Sequence, residues 1–167
     1  PYVEDDGGSW RQLHVVDTDG ESRPYFSGKV TVTKLAWSPD GQAIYFVGKR
    51  DSKDTFADIY RIPLNGGEAA LVYEASSTIK EIYPSPDGKT LAFLATEPKP
   101  KESETLKKKG FKAEVYEESV KPVHAWLLDL ETGEAARQDL AGSASALSWA
   151  PDGEHYAVAL APTPLID

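Results

Sequence analysis

The chain has 167 residues, 40% hydrophobic and 27% charged, which is enough for a packed core, and it contains no run of about 18 apolar residues that a spanning helix needs. Lys and Arg number 18 against 27 Asp and Glu, a net charge of −9, so nucleic acid is a poor partner for a surface without clustered positive charge. Cysteine is absent, which removes disulfides, zinc knuckles, iron–sulfur ligation and thiol nucleophiles together but leaves the compartment open, exported or cytoplasmic.

In chain order, the first predicted element is a pair of short strands over 9–28, with Leu13 and Val15 on one face and the tight turn Thr18-Asp19-Gly20-Glu21 reversing the chain. Four strands, labelled a to d, follow over 30–75. Strand a, Thr33 to Trp37, enters the turn Ser38-Pro39-Asp40-Gly41. Strand b, Ala43-Ile44-Tyr45-Phe46-Val47, is apolar on both faces. Strand c carries Tyr60 and Ile62 and leads into Asn65-Gly66-Gly67-Glu68, and strand d, Glu68 to Tyr73, is more polar. Pro63 has no ladder donor, so a strand end or bulge is expected there.

Residues 78–140 repeat that order. Ile79 to Tyr83 enters Ser85-Pro86-Asp87-Gly88, Leu91 to Leu94 follows, Trp126 and Leu128 mark strand c, and Glu131-Thr132-Gly133-Glu134 leads to Glu134 to Leu140. Over 144–160 only a and b recur, as Ala146 to Trp149, Ala150-Pro151-Asp152-Gly153 and Tyr156 to Ala159. Proline presets the first turn position, Asp bonds the chain ahead of it and Gly accepts positive φ. Strands apolar on both faces belong between two layers, and the polar d strands suit an outer edge.

The markers keep time. Gly20 and Gly67 lie 47 residues apart, as do Asp40 and Asp87. Asp87 and Asp152 are 65 apart, and the lengthening falls between Asp87 and Gly133, which are 46 apart against 27 for Asp40 and Gly67, so an insertion of 19 residues is placed within 97–122. A period in the forties with four strands per unit is the signature of a β-propeller blade. The fold class is therefore all-β: a propeller fragment of four-stranded antiparallel blades. Two full blades (30–75 and 78–140) are flanked by half-blades at 9–28 and 144–160. A ring takes about 4 to 8 blades, so the chain forms an arc, or its half-blades complete one another across a symmetric homo-oligomer.

The stretches Leu35-Ala36-Trp37-Ser38-Pro39-Asp40-Gly41 and Asp58-Ile59-Tyr60-Arg61-Ile62-Pro63-Leu64-Asn65-Gly66-Gly67 resemble the WD40-like Pro-Asp repeat. That repeat occurs in TolB-type propellers, tricorn-type proteases and the propeller of the prolyl oligopeptidase family. The insertion, from Leu106-Lys107-Lys108-Lys109-Gly110-Phe111 to Tyr116-Glu117-Glu118 and then Pro122-Val123-His124-Ala125-Trp126, is similar to a segment in bacterial members of the dipeptidyl and acylaminoacyl peptidase branch. The resemblance implies a non-catalytic propeller portion of a serine peptidase that gates substrate access. Its partners would be a C-terminal α/β-hydrolase domain and peptide substrate. The alternative is a TolB-like protein- or peptide-binding propeller with no attached enzyme.

Chemistry-bearing motifs are few. No Gly-x-Ser-x-Gly elbow exists; Gly142-Ser143-Ala144-Ser145 and Gly8-Ser9-Trp10 lack the flanking glycine and are placed in linkers. His14, His124 and His155 occupy no common repeat position and are expected as surface or hydrogen-bonded groups, so neither a metal nor a cofactor is assigned. Asp40, Asp87 and Asp152 are expected to bond their own turns. Tyr45, Phe46, Phe93, Trp37 and Trp149 are expected to pack between blades. The insertion concentrates Lys99, Lys101, Lys107, Lys108, Lys109 and Lys112 in an acidic protein. Lys107, Lys108, Lys109, Glu117 and Glu118 are the candidate substrate or domain contacts, on the face that carries the b-to-c and d-to-a loops. Glu117-Glu118 is superficially similar to the paired glutamates with which dipeptidyl peptidases hold a substrate's amino terminus, but that pair lies on a helical insertion whereas this one precedes strand c in a strand-like run, and a salt-bridged strand edge accounts for it better.

Overall fold

A computed structural model describes residues 11, 13–25, 31–49, 55–97 and 121–163. Twelve strands and no helix occur among them: β1 (His14–Val16), β2 (Ser22–Pro24), β3 (Thr31–Trp37), β4 (Ala43–Lys49), β5 (Asp58–Pro63), β6 (Ala70–Tyr73), β7 (Ile79–Pro84), β8 (Thr90–Thr96), β9 (Val123–Asp129), β10 (Ala135–Arg137), β11 (Ser143–Trp149) and β12 (Tyr156–Ala161). They form two four-stranded sheets in the orders β3-β4-β5-β6 and β7-β8-β9-β10, and two two-stranded sheets, β1-β2 and β11-β12. Every pairing is antiparallel between consecutive strands, the meander of propeller blades. The fold is an all-β propeller arc.

Burial follows the apolar pattern of each strand. All of β4 except Lys49 is buried, as is β8 from Leu91 to Ala95, because each has a strand on either side and a sheet above and below. Pro63 ends β5, where its missing N–H costs no ladder bond. Strands β6 and β10 are sheet edges, as expected of the d strands, but the paired residues are Ala-Leu-Val-Tyr and Ala-Ala-Arg, so the expected polarity lies outside the strands and the edge position shows instead in their partial exposure.

Three cores fill the spaces between successive sheets. Leu13 packs with Val32, Ile44, Phe46, Tyr60 and Ile62 at the first junction. At the second, Tyr45, Val47 and Ile59 meet Ile82, Leu91, Phe93 and Leu128. Ala92, Leu94 and Ala125 meet Ala144 and Leu147 at the third. Phe93 stacks on Trp126, with centroids 6.0 Å apart, and meets Tyr73 at 5.1 Å. The expectation of inter-blade packing therefore holds for Tyr45, Phe46 and Phe93, and for the half-buried Trp149, which meets Tyr156 edge-on. It fails for Trp37, which is 50% exposed because no inner strands precede β3 among the described residues. Strand β12 also departs from its counterparts. It is apolar yet half exposed, since among the described residues it has β11 on one side and no strand on the other.

The turn aspartates behave as expected. Oδ1 of Asp40, Asp87 and Asp152 accepts the N–H two residues on, from Gln42, Lys89 and Glu154, at 2.9, 3.1 and 2.9 Å. A buried serine backs the first two turns. Ser38 Oγ donates to Asp40 at 2.5 Å and accepts the Ala43 N–H at 2.8 Å, while Ser85 Oγ donates to Asp87 at 2.6 Å and accepts the Thr90 N–H at 3.0 Å. Those serine hydroxyls are the largest cause holding both carboxyls below the ordinary 3.8. At the third turn Ala150 replaces the serine, and the Glu154 N–H lowers Asp152 instead. Asp17 and Asp129 form the same loops in the c-to-d turns, which the glycine markers alone did not reveal.

Candidate functional site

The meander sends the a-to-b and c-to-d turns to one face of the arc and the b-to-c and d-to-a connections to the other. Each face carries a cleft at the junction of the two full blades.

On the turn face a cleft of about 390 Å³ lies between Asp40 and Asp87, with Ser38, Tyr45 and Arg61 in its wall. The turns nearly touch: a Cβ added to Gly88 would stand 3.9 Å from the Pro39 ring, and one added to Gly153 would stand 3.7 Å from Asp87. The carboxylates are committed to their own turns, and the charge of Arg61 further lowers Asp40. In this cleft the turn carboxylates serve the packing of the turns.

The connection face offers more to a ligand. A cleft of about 430 Å³ lies between the ends of β3 and β4 and the start of β7. Ile79, Ala57 and Phe56 supply apolar wall, Thr33 and Thr78 supply hydroxyls, and Lys34, Lys49 and Lys80 bring three ammonium groups into a protein of charge −9. Lys34 crosses the junction to pair with Glu81 of the next blade. Lys49 Nζ donates to the Thr55 carbonyl at 3.1 Å, which holds the chain end leading into β5 against β4. A pocket of this size with an apolar wall and a few convergent charges fits a small ligand or a peptide side chain.

The insertion springs from beside this cleft. Its two roots, Glu97 after β8 and Lys121 before β9, are tied: Lys121 Nζ donates to the Glu97 carbonyl at 3.1 Å, and the Glu97 carboxylate pairs with Arg137. The Thr96 N–H donates to the carbonyl of Thr78, a residue of the cleft wall, at 3.2 Å. His124 Nε2 lies 3.4 Å from Glu97 Oε1 without hydrogen-bond alignment. Lys107, Lys108, Lys109, Glu117 and Glu118 lie outside the described residues, as does the expected helical turn at 105–109. Lys34, Lys49 and Lys80 were missed in the sequence because they belong to three different strands, and only the inter-blade packing brings them together.

Among the described residues no group of three or more His, Asp or Glu side chains converges as metal ligands. His14 Nδ1 lies 2.9 Å from Ser22 Oγ across the β1-β2 hairpin, and His155 Nδ1 lies 3.3 Å from Asp152 within its turn. Ser22 sits on an extended edge strand, not the strand-to-helix elbow that exposes a nucleophile. Ser143, expected in a linker, instead begins β11. Its buried hydroxyl accepts the Val123 N–H at 3.1 Å, so it joins two sheets. No helix among the described residues is long and apolar enough to cross a membrane.

No family model matches the sequence, and no curated protein does. Solved structures match in fold. A TolB-type protein from Agrobacterium tumefaciens superposes with a TM-score of 0.59 at 18% identity over 90% of this chain and 51% of that one. Hydrazine synthase of Kuenenia stuttgartiensis gives 0.63 at 19% over 92% and 44%. The acylaminoacyl peptidase of Pyrococcus horikoshii gives 0.54 at 19% over 80% and 21%. The chain thus spans about half of the TolB-type protein or less of the others, and its fold is that of a TolB-like propeller.

Proposed function

We propose that this chain is the non-catalytic propeller portion of a serine peptidase of the prolyl oligopeptidase kind. Its connection face receives peptide, and its blades limit what reaches a catalytic α/β-hydrolase domain. The observation that carries this reading is the juxtaposition on one face: a lysine-rich cleft of about 430 Å³ shares Thr78 with the tied roots of the inserted segment. Binding residues on propellers commonly lie on loops held by a rigid scaffold, and that is where these fall. The likeness to an acylaminoacyl peptidase is compatible with it.

The resemblance of the inserted segment to that peptidase branch adds its weight, and of the lysines that line the cleft, Lys34 is paired with Glu81 and Lys49 with the Thr55 carbonyl, so Lys80 is the group to which a peptide carboxylate would be anchored. The second reading, a TolB-like propeller that docks a protein or peptide without an attached enzyme, is favoured by the larger share of the TolB-type protein that this chain covers. Reading the coding sequence past Asp167 separates the two. A Gly-x-Ser-x-Gly elbow in an α/β pattern supports the peptidase, and a stop after further blades supports the binding module. The purified chain should not hydrolyse aminoacyl or dipeptidyl reporter substrates; turnover by this chain alone would overturn the non-catalytic assignment.

A further inference from the structure

Each inner strand admits one extra residue at its connection-face end, and the three extra residues differ in what they do. Thr33, Lys80 and Ser145 each stand seven residues before a turn aspartate and fall inside the register shifts of β3-β4, β7-β8 and β11-β12. A bulge leaves its extra residue unpaired and re-aims the side chain. Thr33 Oγ1 donates to the Val47 carbonyl at 3.1 Å and Ser145 Oγ donates to the Ala159 carbonyl at 3.4 Å. Those two carbonyls also match in the repeat, seven residues past their aspartates. In both blades a hydroxyl closes the bulge onto the neighbouring strand, whereas the middle blade carries an ammonium group at that place.

Lys80 lines the connection-face cleft, beside Ile79, Phe56 and Ala57. It is exposed, and no hydrogen bond or ion pair occupies its ammonium among the described residues. The neighbouring charges have other uses. Lys34 neutralises Glu81, so that carboxylate does not repel an anion, and Lys49 holds the Thr55 carbonyl. The Thr33 hydroxyl is spent on Val47. The cleft thus sets a free ammonium against an apolar wall.

We propose, resting on the peptide-receiving role of the connection face, that the cleft takes the free carboxy terminus of a peptide whose last side chain is apolar, with Lys80 as the specificity-determining residue. A terminal carboxylate and the last side chain spring from one Cα. Both therefore reach their partners, the ammonium and the wall of Ile79, Phe56 and Ala57, in a single placement. An Asp or Glu side chain inside a peptide would bring peptide groups from both flanks against that wall, where unpaired N–H and C=O groups are costly. A lysine acts as a point charge, so it holds a carboxylate without needing the paired geometry that an arginine imposes.

The full chain is titrated calorimetrically with three blocked peptides: acetyl-Ala-Ala-Leu as the free acid, the same peptide as its carboxamide, and acetyl-Ala-Ala-Glu as its carboxamide, which carries the same charge as the first. The free acid should bind about tenfold more tightly than either carboxamide, the increment of one charge-assisted contact, and the preference should shrink as salt is raised. Lys80→Thr, which supplies the hydroxyl that Thr33 provides in the first blade, should abolish the preference while shifting the urea midpoint no more than an ordinary surface substitution does. Lys80→Arg should keep the preference. Equal binding of the acid and its carboxamide, binding of the Glu peptide as tight as that of the terminal acid, or a preference that survives Lys80→Thr would each overturn the proposal and leave the peptide-receiving face standing. Failure of all three peptides to bind at millimolar concentration would overturn both.

Discussion

Replacing Ser38 with Ala tests the account of the Pro-Asp-Gly turns. Ser38 is buried, and its hydroxyl donates to Asp40 Oδ1 at 2.5 Å while accepting the N–H of Ala43 at 2.8 Å. Ala43 is 0% exposed, so when the hydroxyl is removed its N–H loses its acceptor where water does not replace it. A buried donor left unsatisfied costs about 1–3 kcal/mol. With a urea m-value of about 2 kcal/mol/M, the midpoint should fall by about 1 M, followed by circular dichroism at pH 7. Ala150 already stands at the matching place in the third turn, and there the dependent N–H, that of His155, is exposed and goes to Asp152 Oδ1 at 3.3 Å. The reverse substitution, Ala150→Ser, should therefore change stability by less than about 0.5 kcal/mol, the range of ordinary surface substitutions. The pH dependence separates the two roles of the hydroxyl. Ser38 is the largest cause of the lowered Asp40 pKa, so part of its contribution is present above the unfolded value near 3.8 and is lost as pH falls through the lower folded value. The gap between the parent and Ser38→Ala should narrow below pH 3.8 without closing, because the Ala43 N–H does not titrate. A loss below about 0.5 kcal/mol at pH 7, or a gap that widens in acid, would refute the reasoning.

Asp40, Asp87, Asp129 and Asp152 all titrate below 3.8 in the folded chain, so thermal stability should hold from pH 7 to about pH 4 and fall beyond it; a melting temperature already falling between pH 7 and 5 would contradict this. Phe93→Ala removes a side chain 1% exposed that stacks on Trp126 and meets the tilted Tyr73 ring, and should cost about 3–5 kcal/mol in urea unfolding. Gly41 and Gly142 both have positive φ, but a Cβ meets nothing at Gly41 and the Ala161 carbonyl oxygen at 2.3 Å at Gly142. Gly41→Ala should therefore cost about 1–2 kcal/mol from conformation alone, and Gly142→Ala distinctly more in the same measurement. Equal costs would mean that the β11-β12 end yields freely.

The blade pattern was legible because the turn chemistry is local. A Pro-Asp-Gly or Asn-Gly-Gly turn requires its own residues regardless of what surrounds it, and a strand between two layers must be apolar on both faces. Tyr45, Phe46 and Phe93 were readable as core for that reason. Other features depended on neighbours. Each inner strand carries a register shift at the same repeat position, between Val32 and Lys34, Ile79 and Glu81, and Ala144 and Ala146, yet the residues there, Thr33, Lys80 and Ser145, share no side-chain type. The shift belongs to how strands twist against one another in the sheet.

The same division runs through the candidate site. Composition and a 47-residue period sufficed for an all-β arc, since each hairpin's turn and periodicity are written in adjacent residues. Which apolar residues are covered was not written there: Leu35 and Leu147 look alike in sequence but differ in exposure, because burial is conferred by a neighbouring sheet. Nor was the meeting of Lys34, Lys49 and Lys80 around one cleft, which depends on two blades packing side by side. Local backbone chemistry sets the strands and turns, and contact across the blade junctions sets the surfaces available to a partner.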